Sequence, residues 1–501
     1  MHALAFDAPL RQLYDAGPSP ASGGLALVAI ALAGAVVAWH CRPWKKLPPS
    51  GRGFASFEPE LTAFAHSQRL WRSIVGWTGA LAALYAASLG VLGFAEWVSS
   101  DGVEHAFAWG HVGVTGLWGL VALGLLAGGL RFSSLELRLG GLAWLGAVLF
   151  ETAGYDSLEL GGDLRGVALL VGAAVLLAGA LLDRLAAPER PAFPFVACYV
   201  VASIGLATGG VFQLVDGESA QQLVLLGLAA FYGLLSALVL ARDRDLSGLL
   251  WAPALVLAGY SSAELLAGSW LVLAWAAAAA GLALLAWWLG ERRFELASFA
   301  YLALALGHAL VFEAPLGDLF QANRHPENGV PSLLFVITAA TVFALAVRGE
   351  PGSAPTQPNA FDELAHALDA RRRIWRRVAE AVAAVLGVYA ISLTILGVAE
   401  ALGGASVTTN FERGHSAVSA FWGLIGLLVL YACLKRSLTW LRLVGFGLFG
   451  LAVVKLFLYD LAYLSSITRA LSFLAVGAVL LLAGFFVQKL GAEREQEFST
   501  N

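Results

Sequence analysis

The chain has 501 residues, 59% of them hydrophobic and only 13% charged, where a soluble domain carries about 25% charged residues. Charge that sparse cannot coat a water-facing surface around so much apolar chain, so an ordinary soluble enzyme is excluded. The net charge of −4, with basic residues in short clusters, offers no face for a nucleic acid, and no nucleic-acid partner is expected.

In chain order, apolar runs of about 17 to 22 residues recur, each long enough to cross a hydrocarbon layer as a helix. They fall near 24–41, 74–98, 111–130, 139–153, 164–183, 194–213, 221–241, 247–267, 270–290, 296–313, 331–347, 378–400, 415–434, 443–459 and 468–488. Continuous runs of this kind select helices over barrel strands. The expected fold is an all-α polytopic membrane protein of about fifteen spans, give or take two. With the N-terminus outside, the inner segments hold 25 of the 31 basic residues, so the positive-inside rule predicts N-out, C-in. The near-uncharged leader and the Arg42, Lys45 and Lys46 that follow the first run suit an uncleaved anchor. Cys41, Cys198 and Cys433 sit near inner ends, so no disulfide is expected.

Seven segments follow: 1–41, an outer leader and first span; 42–70, a cytoplasmic linker; 71–190, a first membrane repeat; 191–348, middle hairpins; 349–374, a second linker; 375–490, a second repeat; and 491–501, a tail. The two linkers each combine a Pro/Gly/Ser-rich stretch with a charged helical piece. The repeat rests on identities at an offset of 304. Tyr85, Ser88, Glu96, Gly110, His111, Trp118, Arg138, Tyr155, Asp156 and Arg165 correspond to Tyr389, Ser392, Glu400, Gly414, His415, Trp422, Arg442, Tyr459, Asp460 and Arg469. Shared hydrophobicity alone would not align Glu, His, Trp, Asp and Arg. Ten spans separate matching helices, so the copies are expected to run parallel.

The second repeat carries Arg442-Leu443 with Gly445, then Val454-Lys455-Leu456-Phe457-Leu458-Tyr459-Asp460, Leu464-Ser465, Arg469 and Leu471-Ser472-Phe473. This stretch resembles the C-terminal part of the bacterial predicted-membrane-protein family named domain of unknown function 2339. The resemblance implies an inner-membrane protein of many helices and brings no established activity or catalytic residues.

Ionisable groups within spans are costly and raise a functional question. They gather at the outer ends: Glu96, His111, Glu151, Asp156, Arg165, Glu313, Glu400, His415, Lys455, Asp460 and Arg469. Glu96 ends one helix and His111 starts the next, as do Glu400 and His415. Such a pair can relay protons, bind a sugar hydroxyl, or simply pin a hairpin mouth. A lone Glu–His pair supplies too few ligands for a metal, and neither metal nor cofactor is expected. Glu151 and Asp156 stand five apart, as do Glu313 and Asp318, and Lys455 and Asp460. Five residues of an ideal helix turn through about 140°, so these two groups need not share a face, whereas Lys455 could neutralise Glu151 or Glu313 across the bundle. Arg165 and Arg469 suit a phosphate headgroup or a local acid such as Asp163.

The phosphate loop GxxxxGK[ST], HExxH and GxSxG are absent from the sequence. The leading expectation is cell-envelope transport, or handling of a lipid or lipid-linked glycan through an outward-facing polar cavity, with membrane lipids as partners. The alternatives are a membrane transferase with an outer-face active site and a non-catalytic scaffold.

Overall fold

The computed structural model describes residues 8–17, 19–40, 58–100, 102–186, 195–348 and 360–436, with scattered positions between 447 and 485 that include Lys455. Among these residues there is no strand. The helices are α1 (Gly24–His40), α2 (Glu58–Val98), α3 (Val103–Arg131), α4 (Leu135–Phe150), the single turn α5 (Ser157–Glu159), α6 (Gly162–Leu185), α7 (Phe195–Leu214) and α8 (Glu218–Val239). There follow α9 (Arg244–Leu265), α10 (Ser269–Leu289), α11 (Arg293–His308), α12 (Val330–Ala346), α13 (Ala360–Ala370), α14 (Arg372–Leu402) and α15 (Val407–Arg436). Eleven helices among the described residues are long and apolar enough to cross a membrane. The expected spans 443–459 and 468–488 lie outside the described residues except at scattered positions.

These elements start and stop where local chemistry dictates. Ser134 caps α4, its hydroxyl accepting the Leu137 N–H. Gly217, at φ 89° before α8, supplies a turn conformation that a side chain would strain. The charged helical piece expected in the first linker is the start of α2, and the one in the second is α13.

The apolar window of Pro20–His40 is only 11% buried by protein, and that of Gly162–Leu185 is 56% buried. Leu25, Trp97, Phe150 and Leu402 stand fully out on their helices. Apolar surface left open on this scale is solvated by lipid, not water.

The chain forms two compact units, Met1–Ala258 and Gly259–Asn501. In the first, α2 packs between α1 and α3, α3 meets α4 and α6, and α6 pairs with α7. Leu126, Leu142, Leu145, Leu176 and Tyr232 belong to one of its core clusters. Helices α3 and α4 approach so closely at Gly141 that a Cβ there would lie 2.7 Å from the Leu126 backbone nitrogen. Beyond that contact, Arg138 grips Asp183 with two bonds, at 2.6 and 2.9 Å, and both groups are buried. In the second unit, α12 packs on α10 and α14, and α15 on α14. There Arg372 binds Glu295, and Asp369 holds Arg292 at 3.0 Å.

Candidate functional site

The site in the first unit begins with a departure from regular helix. Glu151–Asp156 continues α4 as a π-turn. The i→i+5 bonding of a π-turn brings residue i over residue i+5, so Glu151 and Asp156 face the same way, unlike the ideal-helix expectation. The same device recurs at Ala309–Glu313, after α11. It sets His308 Nε2 3.8 Å from Glu313 Oε1.

His111, in α3, is completely buried against this turn. Its Nδ1 lies 3.5 Å from Glu151 Oε1 and 4.0 Å from Asp156 Oδ1. Its Nε2 is 2.5 Å from the Leu13 carbonyl, so it donates there. Tyr14 donates its hydroxyl to Glu151 Oε2 at 2.9 Å, and Thr115 donates to Asp156 Oδ2 at 2.7 Å. Burial, with the Glu151 carboxylate beside it, holds the Tyr14 hydroxyl above the usual phenol range, so it stays a donor. Phe107 and Tyr155 close over the imidazole, with ring centroids 4.8 and 4.4 Å away.

Glu96 is not part of this cluster. It accepts the Ser19 backbone N–H, at 3.0 and 3.2 Å to its two oxygens, where Ser19 takes a left-handed turn before Pro20. The expected Glu96–His111 hairpin pair is therefore replaced by His111–Glu151–Asp156. Arg165 donates to the Leu160 carbonyl at 2.7 Å and clamps its own turn. Asp318 accepts from Asn323 at 3.0 Å.

The second unit repeats the frame. His415 Nε2 bonds the Leu319 carbonyl at 2.6 Å, and Phe411 packs on the ring at 4.5 Å. Tyr389 donates to the Pro315 carbonyl at 2.7 Å, as Tyr85 does to the Pro9 carbonyl at 2.7 Å. Trp422 donates to Ser392 at 2.9 Å, as Trp118 does to Ser88 at 2.9 Å. Glu400 accepts from Asn410 at 3.5 Å. Lys455, in place of Glu151 at the 304 offset, donates to Ser419 Oγ at 2.5 Å and to the His415 carbonyl at 3.4 Å. Asp460 and Arg469 lie outside the described residues.

The expected polar cavity takes a different form. The polar groups close on one another, and beside them lies an apolar cavity of about 490 Å³. Leu27 and Ile30 of α1, Leu81 and Tyr85 of α2, Trp118 of α3 and Trp144 of α4 line it, and Tyr14 belongs both to its wall and to the cluster.

Leu13, Tyr14 and Thr115 are the participants that sequence reasoning missed. The signal was available. Asp7-Ala8-Pro9-Leu10, Leu13, Pro20 and Gly23 recur as Glu313-Ala314-Pro315-Leu316, Leu319, Pro326 and Gly329, at an offset of 306. Both stretches fold as paired 3₁₀ turns, Leu10–Leu13 with Pro20–Gly23 and Leu316–Leu319 with Pro326–Gly329. Both place a left-handed residue before the second proline: Ser19 at φ 57° and His325 at φ 59°.

No curated protein and no solved structure matches the chain. Residues 332–490, from the start of α12 through the His415 and Lys455 region, match the model of a family described as Predicted membrane protein (DUF2339).

Proposed function

We propose that this is a bacterial inner-membrane protein that holds a membrane amphiphile, with the apolar chain in the cavity bounded by α1, α2, α3 and α4 and the polar end at Tyr14. The carrying observation is the cavity itself. Its volume of about 490 Å³ falls within the range of about 300–1,000 Å³ typical of ligand sites. An apolar chamber with one polar corner suits an acyl or isoprenoid chain better than a free sugar or ion. Catalysis at the cluster is disfavoured, because His111, Glu151 and Asp156 are 0%, 2% and 0% exposed.

The reading includes an architecture. One helical array, residues 7–184 and 313–489, is used twice in the same sense, with the N-terminus outside and the C-terminus in the cytoplasm. The two sequence offsets, the paired hydrogen bonds of Tyr85 and Tyr389, and those of Trp118 and Trp422 support it. The first span and its leader then belong to the first copy, and the 313–346 stretch to the second. The arginine-rich connectors support the orientation.

Native mass spectrometry of the full chain, released from membranes in mild detergent, tests the ligand. The expected result is one retained lipid per chain, lost when Leu81→Trp fills the cavity. A lipid-free wild type, or a Leu81→Trp protein with undiminished lipid, would overturn the reading.

A further inference from the structure

Three buried groups in the first unit each use one atom to hold position and leave one atom over. His111 commits Nε2 to the Leu13 carbonyl, Glu151 commits Oε2 to Tyr14, and Asp156 commits Oδ2 to Thr115. The remaining atoms, His111 Nδ1, Glu151 Oε1 and Asp156 Oδ1, are buried and have no hydrogen-bond partner. One donor atom from each residue lies within 4.8 Å of the other two. A carbonyl only accepts, so Nε2 carries a proton, and the atom of His111 left over, Nδ1, faces two carboxylate oxygens. Three unpartnered buried atoms thus converge, and among the described residues neither carboxylate has an ion-pair partner other than His111.

The second unit places a cation in the corresponding frame. At the position of Glu151 it carries Lys455, whose ammonium is buried and bonded to Ser419, the residue that corresponds to Thr115. A positive charge is built into the second frame, and the first has a carboxylate in its place.

We infer that His111, Glu151 and Asp156 form a binding site for one divalent metal ion of the zinc or manganese class, oriented by Leu13, Tyr14 and Thr115. Two carboxylates exactly neutralise a divalent ion, which lets the site be buried without net charge. One imidazole nitrogen with two carboxylate oxygens suits Zn²⁺ or Mn²⁺. Around a tetrahedral ion with bonds of about 2.0–2.2 Å, donor atoms sit about 3.3–3.6 Å apart. The 3.5 Å between Nδ1 and Glu151 Oε1 already meets that spacing, and the 4.0 Å to Asp156 closes by a small side-chain movement. A partner on the far atom of every ligand is the usual outer shell of a metal centre. The site stands independently of the amphiphile, whose cavity it adjoins at Tyr14.

The test uses tag-free full-length protein in detergent, stripped with a chelator, equilibrated with Zn²⁺ or Mn²⁺ and assayed by elemental mass spectrometry. One ion per chain is expected. Glu151→Gln and Asp156→Asn should lose it. The outer-shell variants Tyr14→Phe and Thr115→Val, which keep the ligands and guard against misfolding of the first pair, should weaken binding at least tenfold. Lys455→Met should leave the stoichiometry at one. Wild-type protein that takes up neither ion, or Glu151→Gln and Tyr14→Phe proteins that bind as tightly as wild type, would overturn the site and leave an imidazolium–carboxylate cluster in its place.

Discussion

His111 and His415 are held in the same way. Each gives Nε2 to a leucine carbonyl of a 3₁₀ turn, at 2.5 and 2.6 Å, and each lies under a phenylalanine four residues earlier in its helix. The contrast lies at one position in the helix opposite, Glu151 in one unit and Lys455 in the other. With Glu151 the frame collects acceptors; with Lys455 it contains its own donor. A single exchange of charge sign at matching positions thus separates a frame with two carboxylates beside its histidine from one with a built-in ammonium. The ends carrying Arg138 and Arg372 differ as well. The first unit has two separate pairs, the fully buried bidentate Arg138–Asp183 and the half-buried Arg184–Asp243, and the second links Arg292, Arg372, Glu295 and Asp369 into one network.

The largest effect is expected at the fully buried pair. Arg138→Ala leaves Asp183 charged and buried, which costs about 3–5 kcal/mol, read as a steep fall in the unfolding midpoint in detergent. Arg138→Met with Asp183→Leu should recover most of it, because two apolar groups of similar volume need no partner. Arg372→Ala should cost less, since the Glu295 it leaves is more exposed than Asp183 and Asp369 keeps Arg292 at 3.0 Å. Equal losses in the two single variants would remove the distinction between a fully buried pair and a shared network.

The next effect has opposite signs in the two units. In chelator, Glu151→Gln should raise the unfolding midpoint, because it places a donor amide among convergent acceptors and removes a buried charge. Lys455→Met should lower it, by about 1.5–3 kcal/mol for the loss of charged hydrogen bonds. With Zn²⁺ present, the Glu151→Gln gain should vanish, since the metal stabilises only the wild type. A Glu151→Gln protein less stable than wild type in chelator would mean that the three acceptors are already satisfied.

Much of this architecture was legible in the amino-acid pattern, and the losses have physical causes. Apolar runs placed some helices to within a few residues, with 164–183 expected for Gly162–Leu185 and 194–213 for Phe195–Leu214, whereas α3 and α15 begin at Val103 and Val407, ahead of the expected 111 and 415. The histidine and the two carboxylates of the described cluster were named as candidates, since an ionisable residue in an apolar run is conspicuous. The pairing was not legible. Glu151 and Asp156 look divergent on an ideal helix, and only the π-turn aligns them. His111 stood near Glu96 in the chain, yet Glu96 is taken by Ser19, and the histidine's partners come from 98 and 40 residues away, at Leu13 and Glu151. Hydropathy reports local burial and carries nothing about such long-range closure. The repeat offset of 306 over the leader held that information, two residues out of step with the 304 of the rest, the difference falling between α1 and α2 in one unit and α12 and α14 in the other.

The smallest expected effect is also the strictest measure of how alike the two frames are. Tyr85 and Tyr389 each tie a membrane helix to the 3₁₀ turn beside it through one hydroxyl, to Pro9 and Pro315 at 2.7 Å. Tyr389 reaches the Ala314 carbonyl as well, at 3.1 Å. Removing one such hydroxyl costs about 1 kcal/mol. Tyr85→Phe and Tyr389→Phe should therefore lower the unfolding midpoint by similar small amounts, and the double variant by their sum, because the two bonds share no partner. A loss at Tyr389 several times that at Tyr85 would show that the second carbonyl carries real weight and that the turns, though built from the same residues, are anchored differently. A negligible loss at both would place the leader's attachment in its apolar contacts, with Leu13 and Leu27 packed against Leu89 and Leu92, and would leave the hydroxyls to orient the turn that presents Leu13 to His111.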